Sequence, residues 1–383
     1  MKRRPAASDI DRQAFRRRLL AWFKSHRRDL PWRIEPRNAY RVWVAETMLQ
    51  QTQVVSVIPY YERWLSRLPT LQSLAQADLD TVLKLWEGLG YYTRVRNLHK
   101  AAQVIVRDYG SALPDQVNVL QRLPGIGAYT AGAIASLAYG RDAAVLDGNI
   151  KRVLARVYAV NDKVTAPGTV KHLWKLAREL LPPGKAGQFN EALMDLGALI
   201  CTPRTPACGR CPVARLCIAY SIGKQAHLPL RRGSKTLPLQ HIATAVIQND
   251  AGQYLISQRP TDGLLGGLWE FPGCEVVVKP GSQLLSSVSQ QAVQAQLTRY
   301  VSTHAGVDIQ QSTGRYLSSH RYAYTHRRIS RHVFSLRTAG RTISAPATDA
   351  RLRWLHLDDI DRLALARNDR RILQHITTST QSE

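Results

Sequence analysis

The sequence predicts a mainly α-helical first part of about 220 residues, followed by a smaller α+β part. Three observations predict it. As far as Gly197, apolar residues recur at helical spacing behind residues that cap helices. A short loop carrying four cysteines, Cys201 to Cys217, closes that part. Beyond His241 the pattern changes to short apolar runs separated by turn residues, with two helical stretches among them.

Taken in order, Ser8-Asp9-Ile10-Asp11 reads as a capping box for a helix whose Phe15, Leu19, Trp22 and Phe23 share one face. Arg27-Arg28-Asp29-Leu30-Pro31-Trp32-Arg33 is a basic loop with an aromatic in it. Asn38 caps a long helix expected over residues 40–61, interrupted near Pro59. Helices follow at 71–77, 78–86 and 94–109. Between the last two, Gly88-Leu89-Gly90-Tyr91-Tyr92-Thr93-Arg94 is a turn with two aromatics beside a base. Pro124-Gly125-Ile126-Gly127 is a tight turn leading into a helix from Ala128 to about Tyr139. Asp147 stands in the N-cap position of a helix expected over 149–160. Residues 170–181 are amphipathic and stop at Pro182-Pro183, and Gln188 opens the next helix.

Residues 221–240 are rich in Gly, Lys, Arg, Pro and Ser and read as a linker between domains at 1–220 and 241–383. The second domain opens with a hairpin turning at Asn249-Asp250-Ala251-Gly252. A helix over 284–305, strands near 315–322 and 332–336, and a final helix from Asp358 complete it.

The chain has 383 residues, with 53 Lys and Arg against 28 Asp and Glu, a formal net charge of +25. That excess suits a polyanionic partner, because each phosphate neutralised releases a counterion. No apolar run is long enough to span a membrane. Met1-Lys2-Arg3-Arg4 is followed by no apolar segment, so no secretory signal is expected and the location expected is cytoplasmic, at the nucleoid. Four of the 5 cysteines crowd into one loop, which fits a metal site in a reduced compartment better than disulfides.

Several motifs carry chemistry. In the turn at 124–127, two glycines in three residues leave backbone N–H groups free at a helix N-terminus, a setting for a phosphate. The helix after Asn38 holds Glu46-Thr47-Met48-Leu49-Gln50-Gln51-Thr52-Gln53, with Glu46 set among Trp43, Val44 and Met48. Desolvation there raises a carboxyl pKa and keeps it protonated, whereas Asp147 at a helix start is expected to stay ionised. The loop Cys201-x6-Cys208-x2-Cys211-x5-Cys217 can close around one ion or cluster.

Leu-Pro-Gly-Ile-Gly followed by Thr130-Ala131, with Asp147 twenty residues past Gly127, resembles the helix-hairpin-helix signature of base-excision DNA glycosylases. Leu-Pro-Trp-Arg followed by Glu-x-Met-Leu-Gln-Gln-Thr-Gln-Val resembles the adenine DNA glycosylases of the MutY type. The resemblance implies removal of adenine mispaired with 8-oxoguanine or guanine in double-stranded DNA, by a monomer. It implies Glu46 as catalytic acid and Asp147 beside the sugar of the flipped nucleotide. Tyr129 and Asn149 would orient them, with Glu191 nearby. It implies Gln51 and Tyr91 as wedges in the DNA stack and Gly125 and Gly127 at a phosphate; in the turn at 88–94, Arg94 can by its own chemistry hold a further phosphate. The resemblance implies a [4Fe–4S] cluster on Cys201, Cys208, Cys211 and Cys217.

Two alternatives remain at this level. One is a glycosylase/lyase resembling endonuclease III that acts on oxidised pyrimidines. Its relatives carry a Schiff-base Lys where this chain has Tyr129. The other is a non-catalytic, cluster-bearing DNA-binding protein. The second domain resembles the Nudix-like domain of the same family. No run of glutamates follows Phe271-Pro272-Gly273, so it is expected to recognise rather than hydrolyse. Where the family reads 8-oxoguanine with a Phe-Ser-His loop, this chain has Tyr324-Thr325-His326, which implies Thr325 and His326 as readers.

Overall fold

Capping residues and apolar stripes set the helices of the first part. The computed structural model describes residues 10–230, 236–277, 287–309, 314–324, 326–338 and 351–380. Helix α1 (Arg12–His26) starts at Asp11, whose carboxylate accepts from the Ala14 amide at 2.9 Å. Ser8 and Asp9 of the predicted box lie outside the described residues. Asn38 caps α2 (Ala39–Leu49) by accepting from the Arg41 amide at 3.0 Å.

The predicted long helix is two. It breaks over residues 50–53, and α3 (Val54–Arg67) contains Pro59 on its exposed side. The break has a physical cause outside the segment. The Arg94 guanidinium donates to the carbonyls of Thr47 (3.0 Å), Met48 (2.9 Å) and Gln50, which ends the helical ladder there. The chain continues through α4 (Leu71–Gln76), α5 (Leu79–Trp86), α6 (Thr93–Asp108) and the short α7 (Val117–Leu120). Then come α8 (Ala128–Tyr139), α9 (Gly148–Val157), α10 (Pro167–Leu180), α11 (Ala186–Asp195) and α12 (Ile218–Ser221). Phe15 and Leu19 of α1, Leu154 of α9, Leu173 of α10 and Phe189 of α11 share one fully buried core.

Contacts divide the chain into two units. The first runs to Ala77 and resumes over Arg94–Ser234; the second takes in Asp78–Thr93 together with the chain from Lys235.

In the second unit, β1 (Leu239–Gln248) is central. It lies antiparallel to β2 (Tyr254–Gln258) and β4 (Gly273–Val276), and parallel to β6 (Arg328–Arg337). β3 (Trp269–Glu270) and β7 (Leu352–Leu355) pair with β2, and β5 (Arg315–Ala323) pairs with β6. Strand alternation sorts the side chains. Ala243, Ala245 and Ile247 of β1 meet Val293, Leu297 and Val301 of α13 (Ser287–Ala305). Val246 joins the core formed with α14 (Leu357–Arg362) and α15 (Arg367–Thr380), through Ile360, Ile372 and Leu373. The single final helix expected from Asp358 is therefore two, split where Leu365 bridges to Trp269.

Candidate active site

Glu46 sits in the third turn of α2, where Trp43, Val44, Ala45 and Met48 around it are also buried. It is 4% exposed. The Tyr129 hydroxyl, from the first turn of α8, donates to its Oε2 at 2.5 Å. Burial pushes the Glu46 carboxyl up to about 7, opposed by that hydrogen bond and reinforced by the charges of Asp147 and Glu191. The Tyr129 phenol is held well above its ordinary range, first by burial and then by the two carboxylates it faces.

Asp147 is the N-cap of α9 and accepts from the Ile150 amide at 2.7 Å. The sequence suggests a firmly ionised group, but burial outweighs the cap and raises its pKa; the amides of Ile150 and Asn149 and the charge of Arg152 oppose that rise. Asn149 lies in the same first turn and accepts from Arg152 Nη2 at 2.8 Å. Asn149 packs so closely on Gly197 that a Cβ there would meet the Asn149 Cβ at 2.7 Å.

A cleft of about 770 Å³ brings Glu46, Tyr129, Asp147 and Asn149 together with Gln51 on its wall. Behind it, a cavity of about 40 Å³ also touches Glu46 and is lined by Trp32, Arg33, Arg37 and Glu191. Two carboxylates of unlike environment on one wall can divide acid work from cation stabilisation. Another cleft of about 540 Å³, bordered by Gln121, Asp142 and Trp174, holds none of these groups.

Glu191 is buried on α11, pairs with the Arg33 guanidinium (Nε to Oε1 3.0 Å) and accepts from Arg37 Nη2 at 3.1 Å. One helical turn later, Asp195 is fully buried and receives Arg28 Nε at 2.8 Å and Arg33 Nη1 at 2.8 Å. Sequence reasoning named the basic loop and Glu191 but not this network. The signal was present: two carboxylates at i and i+4 on one helix, and a loop dense in arginine.

The four loop cysteines line one cavity, with Val153, Ile200 and Val213 among its walls. Burial is the first cause that pushes Cys211 up to about 12 and Cys217 up to about 11, with neighbouring thiols adding to it. Holding these two as thiolates therefore requires positive charge beside them. Among the described residues no three His, Cys, Asp or Glu side chains converge as a single-ion site. Arg156 of α9 donates to Cys201 Sγ at 3.2 Å and to the Thr202 carbonyl at 2.7 Å, and Arg152 Nε donates to the Cys201 carbonyl at 2.7 Å. The helix capped by Asp147 is thus the helix that holds the cysteine loop.

Of the residues expected at DNA, Gly125 needs its glycine: φ is +75° and a Cβ would meet Asn97 Cβ at 2.6 Å. Gly127 is the N-cap of α8 and contributes no side chain to it. Gln51 and Tyr91 are exposed and both take left-handed φ, +58° and +50°. Strain of this kind at a non-glycine residue gathers at functional positions. Arg94 departs from expectation. Rather than standing ready for a phosphate, it clamps the end of α2 and donates to Thr52 Oγ1 at 3.3 Å. His326 is exposed in the turn between β5 and β6, and Thr325 lies outside the described residues.

Three regions of the chain match known families. Residues 44–179 match the HhH-GPD superfamily of base excision DNA repair proteins. Residues 201–217 match the iron–sulfur binding domain of endonuclease III, and residues 243–375 match the NUDIX domain. An adenine DNA glycosylase of Rattus norvegicus is 38% identical over 94% of this chain and 77% of its own length. The Homo sapiens relative of the same name is 36% identical over 92% and 72%, and that of Schizosaccharomyces pombe 31% over 94% and 88%. The solved structure of a thermostable thymine-DNA glycosylase superposes with a TM-score of 0.50 at 32% identity, over 55% of this chain and 97% of that one. No described helix is long and apolar enough to cross a membrane. The protein is a DNA-binding, iron–sulfur glycosylase that breaks N-glycosyl bonds in base excision repair, and it belongs to the adenine DNA glycosylase family.

Proposed function

We propose that the enzyme excises adenine paired with 8-oxoguanine or guanine in duplex DNA, acting as a monomer and without cleaving the strand. The observation that carries the reading is a buried carboxyl, Glu46, poised near neutral pH and hydrogen-bonded by Tyr129 on the wall that also holds Asp147. Glu46 donates its proton to N7 of the flipped adenine as the bond to deoxyribose breaks, then takes a proton from the attacking water. Asp147, ionised, stabilises the cationic sugar. Asn149 and Tyr129 orient the two carboxylates, and Glu191, held by Arg33 and Arg37, faces the base from the inner cavity. Tyr129 stands where a lyase would need an amine, so no Schiff base forms. Gln51 and Tyr91 fill the stack that the adenine leaves, and Gly125 and Gly127 receive a phosphate.

The test is single-turnover release of adenine from duplexes carrying A opposite 8-oxoguanine, G or T. Fast release opposite the first two, with no strand cleavage, supports the reading. Release independent of the opposite base overturns it. Asp147→Asn should fold and bind DNA, because Asn also caps helices. It should lose about 10²-fold or more in excision, the scale set by removing one stabilising group. Retained activity would mean that its charge is not used.

The four thiols suit a [4Fe–4S] cluster, which when bound fixes the loop bearing Arg204, Arg210 and Arg215. The purified protein should contain iron and sulfide in equal amounts. Stoichiometric zinc without sulfide would overturn this assignment.

The second domain, 241–383, is proposed to read the base opposite the adenine. Its helix α13 carries no carboxylate, so it lacks the glutamates a Nudix hydrolase uses for metal. His326→Ala in the full chain should lower the preference for A:8-oxoguanine over A:G by about tenfold, as when a hydrogen bond to a substrate group goes unmade. An unchanged preference would place recognition elsewhere.

A further inference from the structure

The segment Asp78–Thr93 lies, in sequence, inside the helical part but belongs by its contacts to the second unit. What holds it is specific. Arg370 of α15 donates to both oxygens of Glu87, Nε to Oε1 at 2.7 Å and Nη2 to Oε2 at 3.0 Å. Both side chains are largely buried, at 17% and 15% exposure. The same guanidinium binds Asp361 Oδ1 at 2.6 Å and the Leu363 carbonyl at 2.9 Å. Lys84 Nζ adds the carbonyls of Asp361 (2.6 Å) and Leu363 (3.0 Å), and Gln258 Nε2 reaches Asp80 Oδ1 at 3.1 Å.

Glu87 is the C-cap of α5, and the left-handed turn starts at the very next residue. Gly88, Gly90 and Tyr91 have φ of +99°, +73° and +50°. The Gly88 amide donates to the Tyr92 hydroxyl at 3.1 Å, and Trp86 Nε1 donates to the Gly90 carbonyl at 3.1 Å. So the residue that anchors the turn is the one gripped by Arg370. Its neighbour in α15, Asp369, is buried and receives Arg331 of β6 at 2.7 and 2.9 Å. β6 is the strand that leaves the turn of Tyr324 and His326. Adjacent residues of one helix therefore hold the strand behind one candidate DNA-reading turn and the helix that leads into the other.

We propose that Arg370, through Glu87, is a positioning residue that sets the Tyr91 turn, so that the second unit governs how Tyr91 enters the DNA stack. This rests on the reading of Tyr91 as a stacking wedge. A bidentate guanidinium–carboxylate pair suits the task because it fixes orientation as well as distance. Left-handed φ at Tyr91 is unfavourable on its own and persists only where surrounding structure imposes it.

The experiment measures the affinity of the full chain, cluster included, for a duplex holding a non-hydrolysable 2′-fluoroadenosine opposite 8-oxoguanine. Tyr91→Ala, Arg370→Gln and the double variant form a cycle, with Glu87→Gln as a gentler second route to the same pair. Arg370→Gln is expected to weaken binding about tenfold in the Tyr91 background and about twofold or less in Tyr91→Ala. A merely structural role would weaken both backgrounds alike, and that result overturns the proposal. An Arg370→Gln chain with native affinity overturns it as well. If Arg370→Gln does not fold, Glu87→Gln decides by the same comparison. If Tyr91→Ala alone binds as tightly as the parent, the wedge reading fails first, a result distinct from failure of the coupling.

Discussion

Glu46→Gln should lose excision by at least about 10²-fold, the usual scale of a general acid, while duplex binding persists. Gln keeps the shape and can still accept from Tyr129, so only the proton is removed. The pH dependence follows from the same group. As the proposed general acid Glu46 would have to be protonated to act, and burial pushes its pKa up to about 7, so the wild-type single-turnover rate should fall as pH rises through about 7. On the acid side the rate should fall as Asp147 gains its proton. Stability should also fall as pH rises, but over a lower range than activity. The folded pKa of about 7 lies above the ordinary 4.5, so the folded state binds a proton that the unfolded chain has released between those values. Wild type therefore loses stability as pH rises from 4.5 towards 7, and a shift of this size corresponds to about 3 kcal/mol above pH 7 at its upper limit. Glu46→Gln removes that penalty and should unfold at higher denaturant than wild type at pH 8 but not at pH 4. Such a gain at a functional position is the expected sign of a site held under strain for activity. Near wild-type excision by the mutant, or equal stability of the two at pH 8, would remove Glu46 from the role.

Most of what was local in the chain was legible in the sequence. Asn38 and Asp147 cap helices because a cap is decided within three residues, and each is seen to accept from an amide three positions on; the box read at Ser8 put Asp11 three residues inside the helix, whereas Asp11 is itself the cap. The four cysteines lie within 17 residues, and their spacing was enough to place them around one cavity. The end of α2 was not legible, because Pro59 looked like the breaker while the carbonyls at Thr47, Met48 and Gln50 are taken by Arg94 from far along the chain. The same distance hid the partners of Asp195, which lie 162 to 167 residues away. The split near Leu363 was hidden too, since its cause is a strand bridge to Trp269. Local propensity states where an element can form; long-range polar contacts decide where it stops.

The second large effect expected is on the fold around the site. Asp195→Asn should lower stability by about 3–5 kcal/mol, the cost of breaking a buried ion pair by removing one partner. Asp195 has no exposed surface, and it takes Arg28 through Nε and Nη2 at 2.8 and 2.5 Å and Arg33 through Nη1 at 2.8 Å. Asn presents one acceptor and two donors, and the donors would face guanidinium groups. Arg33 would then stand buried with only Glu191 opposite it. Because Arg33 also binds Glu191, and Glu191 lines the cavity behind Glu46, loosening Asp195 should disturb the base pocket as well as the fold. Excision should fall even where the variant is fully folded, with the loss greatest at subsaturating DNA. Arg28→Lys, which keeps the charge but loses the fork, should show a milder form of both effects. Denaturant midpoints for the two variants, beside single-turnover rates at several DNA concentrations, make the comparison. A change of under about 0.5 kcal/mol for Asp195→Asn, the range of ordinary surface substitutions, would show that the pair contributes nothing to holding α11 against the arginine loop.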